Sequence, residues 1–310
     1  MALSHLLALD DRERAPVRLY QPIWCNGKVN DYYQYQRDCS DRYEVVKGLA
    51  SKFTRPFSVL DVGSNYGYFD VRLMEDFPGA TCVLVDDKEV VPVLKENRML
   101  DRSVVIKRKV AAKELESLAR SESFDIVLGL SVLHHFEDYE RAYNALRSLG
   151  WWTVFEIPGE DDLGAAFPER HKKIQDLFAG GELGYYKSVD SYITSFPSHV
   201  SDTTRPLFIL ENTPFIAEQS LDAADRDAPG YTKFELEVDF DHAYFRKGVE
   251  RRDFIPGMNL YNFMRLGGVW PSPEVVEPTL EEFSHLPDRQ PWNFIVGKGI
   301  APIDTESKGV

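Results

Sequence analysis

Between Phe57 and Ile157 the chain repeats one pattern: a short apolar run, a turn, then a segment with apolar residues three and four apart. The runs are Phe57 to Val62, Thr81 to Val85, Val104 to Ile106, Phe124 to Leu130 and Trp151 to Ile157. Their length and their β-branched and aromatic content mark them as buried strands. The segments between them carry Phe69, Leu73, Met74 and Phe77, then Val90, Val93, Leu94 and Asn97. Lys113 to Arg120 follows, and then Tyr139, Ala142, Tyr143, Leu146 and Leu149; all read as helices. A further helix, Asp41 to Phe53, precedes the first strand and is stopped by Arg55-Pro56. This alternation predicts right-handed crossovers and a mostly parallel α/β sheet with helices on both faces. Ligands of such sheets sit beyond the carboxyl ends of the strands, where strand order reverses.

Past Ile157 the rhythm loosens. Glu169 to Ala179 reads as a helix, and Tyr185 to Ser195 and Leu207 to Glu211 as the sixth and seventh strands. Residues 220–230 are rich in Asp, Ala, Pro and Gly and resemble a linker, and residues 231–310 form a separate segment without α/β rhythm. The expected organisation is a covering segment over residues 1–37, an α/β domain over 38–214 and an α+β extension over 215–310. Apolar residues make up 43% of the 310, enough for a sizeable core. The net charge of -14 argues against a nucleic-acid partner. The densest basic run, Lys107-Arg108-Lys109, reads as a solvated strand end. Cys25, Cys39 and Cys82 are odd in number and widely spaced, which points to free thiols, a reducing cytoplasm and no metal site. Met1 to Tyr20 lacks the layout of a signal peptide, and no apolar run approaches the roughly 18 residues of a membrane span.

The first strand runs into Asp61-Val62-Gly63-Ser64-Asn65-Tyr66-Gly67. Glycine in that turn permits positive φ and lets backbone approach a ligand. A dinucleotide turn needs G-x-G-x-x-G. The spacing here is G-x-x-x-G after an acid, which leaves a pocket for a sulfonium compound rather than a seat for pyrophosphate. The second strand ends in Val85-Asp86-Asp87. Asp86 is placed to accept hydrogen bonds from both hydroxyls of a ribose, and Asp87 to cap the next helix.

Together with Phe124-Asp125-Ile126-Val127-Leu128-Gly129-Leu130-Ser131-Val132-Leu133-His134-His135-Phe136, these segments resemble motifs one, two and four of class I S-adenosylmethionine methyltransferases. The likeness spans about residues 38–157. It implies a Rossmann-like, seven-stranded, mostly parallel sheet and S-adenosyl-L-methionine as cofactor. A narrower likeness, over residues 20–212, rests on Tyr20-Gln21-Pro22-Ile23, Arg37-Asp38-Cys39, Gly129 to His135 and Thr204-Arg205-Pro206-Leu207. These are similar to the methyltransferase domain of the bifunctional kinase–methyltransferases that terminate O-antigen chains. The resemblance implies that Asp61, Gly63, Ser64, Asn65 and Gly67 surround the methionine moiety and that Asp86, beside Asp87, holds the ribose. It also puts the Gly129-Leu130 backbone on the sulfonium side and Val110-Ala111 beside the adenine, although the usual acid is missing there. Arg37 either binds the methionine carboxylate through a charge-assisted bond or is a surface arginine at a helix start.

Ser131 to Phe136 follows the fourth strand, beside the expected methyl group. A hydroxyl acceptor needs a base, and a histidine of near-neutral pKa suits that task. A phosphate acceptor is already anionic and needs only orientation. His135, ahead of His134, is the candidate; one of the pair otherwise packs internally. Glu156 is placed either to orient one histidine or to anchor a loop, and Arg205 either to hold an anionic acceptor or to sit at a strand edge. The run Glu160-Asp161-Asp162 reads as a solvated loop rather than a metal site. Asp288-Arg289-Gln290-Pro291-Trp292-Asn293 with Asp304 has the outline of a phosphotransferase loop. Leu286 stands where that loop needs His, and no glycine-rich loop or strand lysine accompanies it, so kinase activity is not expected. The expected function is O-methylation of a saccharide or phosphosaccharide. The alternatives are methylation of a small metabolite or an RNA 5′ phosphate, or a catalytically inactive binding protein with this fold.

Overall fold

A computed structural model describes residues 18–30, 34–159, 162, 166–179, 186–187, 196–197, 204–212, 235–247, 250–270 and 294–302. Five parallel strands form its centre: β1 (Phe57–Val62), β2 (Ala80–Val85), β3 (Ser103–Ile106), β4 (Phe124–Leu130) and β5 (Gly150–Glu156). Each lies within a residue of the run read from the sequence. Two more strands, β6 (Tyr186–Lys187) and β7 (Leu207–Asn212), complete the seven, with β7 antiparallel to β5 and β6 antiparallel to β7. The rest of the expected Tyr185 to Ser195 strand lies outside the described residues. An eighth strand, β8 (Gly268–Val269), pairs antiparallel with β3, so the order is β6-β7-β5-β4-β1-β2-β3-β8. A two-residue Gly-Val pairing has no apolar run to announce it.

The helices are α1 (Ser40–Ala50), α2 (Tyr68–Asp76), α3 (Val91–Glu96), α4 (Ala112–Leu118), α5 (Tyr139–Leu149), α6 (His171–Ala179) and α7 (Leu260–Arg265). Helix α5 starts where Asp138 accepts a hydrogen bond from the Arg141 amide at 3.2 Å, satisfying one of the otherwise orphan N–H groups. The strand pleat sends alternate side chains to opposite faces. Val59, Ile126, Leu128 and Val154 pack with Tyr43 and Val46 of α1 and Phe69 and Val71 of α2. Leu60, Val62, Val127 and Phe155 pack on the other face, with Leu115 of α4 and Ala142 and Leu146 of α5. Burying each such large side chain contributes about 1.5–3 kcal/mol before entropy is counted.

The C-terminal extension does not keep a core to itself. Met258, Leu260, Phe263, Leu266, Phe294, Val296 and Ile300 join the second cluster. The spacing of Leu260, Phe263 and Leu266 gives α7 an apolar edge, which packs at the β3 end of the sheet. Buried Glu122 fastens the joint, accepting hydrogen bonds from the Asn259 amide at 3.0 Å and Asn262 Nδ2 at 2.7 Å. Burial pushes its pKa up to about 7 against the pull of those two donors. At the other end of the described chain, a hairpin of Trp24–Cys25 and Lys28–Val29 lies on α2 and α3, with Trp24 Nε1 donating to Glu75 at 2.7 Å. Asp288, Trp292, Asn293 and Asp304 lie outside the described residues. The three cysteines are buried and free. No helix among the described residues is long and apolar enough to cross a membrane.

Candidate functional site

Strand order reverses at β1, which has β4 on one side and β2 on the other. A cavity of about 740 Å³ opens beyond the carboxyl ends of these strands. Its wall contains Asp61, Gly63, Asn65, Asp86, Asp87, Val110, Leu130, His134, His135 and Arg205, all singled out from the sequence. The turn after β1 is built by backbone: Gly67 N–H donates to Ser64 O at 2.9 Å, and Gly63 and Gly67 sit at φ of 85° and 71°. A Cβ on Gly63 would come within 3.1 Å of Val132, and one on Gly67 within 3.0 Å of both Leu84 and Val90. Only glycine keeps the turn that tight and the cavity that open.

Ser64 and Gly67 stand behind this wall rather than in it. Ser64 O also accepts a hydrogen bond from Gln21 Nε2 at 2.9 Å, which ties the N-terminal segment to the turn. Gly129 is likewise set back, against the Phe155 ring, and it is Leu130 that reaches the cavity. Asp86 accepts from the Asn65 amide at 2.9 Å and the Lys88 amide at 3.1 Å. Burial raises its pKa, partly countered by those amides. Asp87 does not cap α3, whose N-terminus at Val90 has no side-chain cap; it pairs with Lys109 at 3.3 Å instead. The loop between β2 and α3 carries Asp87 outwards, towards the basic run. That run is therefore not simply solvated: Lys107 pairs with Glu89 and Arg108 with Glu114, while Arg108 and Lys109 reach the cavity.

The far wall holds a buried charge network. Glu156, at the end of β5, takes Arg37 Nη2 at 2.6 Å and Arg42 Nη1 at 2.5 Å. Burial alone would raise its pKa, but Arg42, Arg37 and Arg205 pull it down to about 2. Glu156 thus holds arginines, not histidines, because α1 packs against its face of the sheet. Arg37 is buried in this network and is not a surface residue. Arg205 pairs with Asp162 at 2.6 Å, so Asp162 is buried and not part of a solvated loop; Glu160 and Asp161 lie outside the described residues. Ser131 Oγ lies 2.9 Å from Arg205 Nη1 and 3.3 Å from Arg37 Nη1, and the Tyr20 hydroxyl lies 3.3 and 3.2 Å from the same atoms. Three guanidiniums against two carboxylates leave a positive charge over. Arg205 Nη2 is buried with no hydrogen-bond partner among the described residues.

The two histidines lie on a 3₁₀ turn, Leu133–His135, with ring centroids 4.3 Å apart. A regular strand would send them to opposite faces; the turn lets both line the cavity. His134 is buried against the His171 ring, while His135 is solvent-accessible beside Phe167. The His135 pKa is lowered by the partial burial of its ring and then by Lys109, Arg205 and Arg170, so it is neutral at pH 7.

Sequence reasoning missed Arg42, Ser131 and Asp162, and Phe69, which it read only as a core residue of α2 and which also lines the cavity. Arg42 had a signal: it lies on the buried face of α1 with Val46, Leu49 and Ala50, and an arginine in an apolar stripe demands an acid partner. Ser131 and Asp162 had none, since one depends on a positive φ of 56° and the other on a residue 43 positions away.

Residues 60–149 match the family model of a methyltransferase domain. The chain carries a methyltransferase domain. S-adenosyl-L-methionine is the methyl donor that such a domain uses. The residues suit it: a turn that a Cβ would obstruct, a buried acid at the end of β2 for a diol, and a cavity of the right class of size. Over 191 residues the chain is 24% identical to the O-antigen chain terminator bifunctional methyltransferase/kinase WbdD of Escherichia coli; the match covers 57% of this chain. It spans a quarter of the length of that curated relative. Among solved structures, a medium-resolution structure of the bifunctional kinase–methyltransferase WbdD aligns with 98% of this chain and 82% of its own, at 17% identity and a TM-score of 0.48. Magnesium protoporphyrin IX methyltransferase of Synechocystis PCC 6803, solved with bound S-adenosylmethionine, aligns over 62% and 88% at 15% identity and a TM-score of 0.40. No group of side chains among the described residues could hold a metal ion.

Proposed function

We propose that the chain methylates an oxygen of a saccharide or phosphosaccharide, with the phosphorylated acceptor favoured. The observation that carries this reading is the unspent positive charge of the Arg37, Arg42 and Arg205 network, with Arg205 Nη2 buried and unpartnered at the cavity. When bound, the cofactor supplies an electrophilic methyl group on a sulfonium centre. Asp86 would hold the ribose hydroxyls, Asp61 and the Gly63 turn the amino-acid end, and Val110 the adenine. Arg205, supported by Ser131 and Tyr20, would take an anionic oxygen of the acceptor through charge-assisted bonds. Lys109 and Arg170 add to the positive field at His135. Displacement at carbon needs the acceptor oxygen held in line, so this fixed cluster acts mainly by positioning. For a hydroxyl acceptor, neutral His135 is in the working form to accept the proton. The similarity to the O-antigen chain terminator supports a glycan acceptor.

The test compares matched hydroxyl and phosphoryl saccharides with wild type, Arg205→Lys and His135→Ala. The proposal expects Arg205→Lys to raise KM at least about tenfold on the phosphorylated acceptor and little on the neutral one. Equal effects on both acceptors would defeat the anionic reading.

A further inference from the structure

Asp70 stands on the first turn of α2, three residues after Gly67, and is fully buried. Neither of its oxygens has a hydrogen-bond partner of regular geometry among the described residues, although its own backbone N–H and the Cys82 thiol favour its charged form. Its carboxyl lies beside that of Asp61 at the end of β1, near enough for the two to act on each other's titration. A carboxylate only accepts, so two buried carboxyls side by side can bond to each other only with a proton on one of them. Asp61, itself 2% exposed, is part of the cavity wall. The pair therefore spans from the helix interior to the cofactor side of the turn.

Its electrostatic surroundings are sparse. Asp86, from the end of β2, adds a like charge against Asp61. Cys82 of β2 lies against Asp70; its thiol is held neutral, far above its ordinary range, by burial and then by Asp70 and Asp61, with Arg102 pulling the other way. Arg42 of α1 lines the same cavity but is committed to Glu156. Burial and then Asp70 raise Asp61 well above the carboxylate range, and burial raises Asp70 to about 7. With no cationic group among the causes acting on either carboxyl, the second ionisation of the pair is unfavourable. An opposite charge nearby reverses that preference.

We propose that Asp61 and Asp70 form one proton-sharing pair that gives up its proton when the cationic cofactor enters, with Asp70 the positioning residue that holds Asp61 at the cavity wall. This rests on the cofactor reading above. One O–H bond breaks, the proton passes to solvent, and the pair goes from one negative charge to two. The titration belongs to the pair and not to either residue. Because one proton leaves per cofactor bound, affinity falls about tenfold for each pH unit below the apparent pKa of the pair.

The test is calorimetric titration of the full chain with S-adenosylmethionine, without acceptor, at pH 7 in phosphate and in Tris. The difference in buffer ionisation heat reports the protons exchanged. Wild type is expected to release between about half a proton and one, and to lose affinity towards pH 6. Asp70→Asn keeps the shape and donates to Asp61 from an amide with no proton to lose. It is expected to release almost none and to bind with a flat pH profile. A merely structural Asp70 would shift the melting temperature and leave the proton count alone. Should the variant not fold, the wild-type buffer pair decides by itself. Binding without proton release overturns this inference alone; absence of binding at every pH overturns the cofactor site and the inference with it.

Discussion

Replacing Glu156 with glutamine removes the anion on which two buried guanidiniums depend. Glu156 is wholly buried, with Arg37 on one oxygen at 2.6 Å and Arg42 on the other at 2.5 Å. The neighbouring arginines hold its pKa at about 2 instead of the ordinary 4.5. At about 1.4 kcal/mol per pH unit, that drop corresponds to about 3 kcal/mol of native-state stability at neutral pH. Removing one partner of a buried ion pair typically costs about 3–5 kcal/mol, because the other charge stays behind unpaired. Glutamine keeps one oxygen acceptor, so a loss of about 3 kcal/mol is expected. Trp151 and Trp152 are buried on the same strand, β5, and report unfolding by fluorescence. With a slope of about 3 kcal/mol per molar urea, the midpoint at pH 7 should fall by about 1 M. The folded-state pKa is depressed, so the contribution is complete above the unfolded value and vanishes as pH falls through about 2. The gap between wild type and Glu156→Gln should therefore be constant from pH 5 to 8 and close in stronger acid. A variant within about 0.5 kcal/mol of wild type at pH 7 would show that the arginines find other partners, and would refute the network.

Asp86→Ala should weaken S-adenosylmethionine binding about ten- to a hundredfold by calorimetry, the loss of about 1.5–3 kcal/mol of charged hydrogen bonding; unchanged affinity in a folded variant removes the ribose assignment. His135→Ala should lower kcat on a hydroxyl acceptor by about 10²–10⁴-fold. The wild-type rate should rise with pH through a midpoint below the ordinary 6.5 of histidine, because burial and nearby cations depress this imidazole; a rate that falls through that range means the imidazolium is the working form. Truncation after Asn212 should give an aggregating chain, since it strips Met258, Leu260, Phe263 and Phe294 from a shared core and bares the β3 edge; a soluble, cofactor-binding fragment would show that the extension is dispensable.

The sheet was legible because it is generated by local patterning. Each central strand is a run of apolar residues ended by a turn, and each helix shows its stripe within its own segment. The cofactor wall was legible for the same reason: Asp61, Gly63, Asn65 and Asp86 lie at strand ends, where the topology must place a ligand. What escaped was pairing across long separations. Glu156 looked like a partner for nearby histidines, but the face of β5 it occupies is the one α1 covers, and α1 brings Arg42. Asp162 read as one of three solvated acids because its partner, Arg205, arrives from another strand. Strand β8 was invisible since two residues carry no period.

The pieces of sequence that looked least like a methyltransferase signature have one destination. Tyr20, Arg37 and Cys39, and Arg205 come from three segments far apart in the chain. Arg37 and Arg205 both donate to Ser131 Oγ and to the Tyr20 hydroxyl, and Arg42 binds both Glu156 and the Cys39 sulfur, the latter at 2.8 Å. A buried arginine is tolerated only when its charge is answered, and each acid here answers arginines without cancelling all of them. The residual charge cannot be titrated away near neutral pH, because guanidinium does not release its proton there. A cavity whose cationic wall is fixed while its histidine is neutral separates two tasks, holding an anion and accepting a proton. Arg205 and His135 can therefore be altered independently, and the acceptor that responds to each alteration identifies which task the wall was built for.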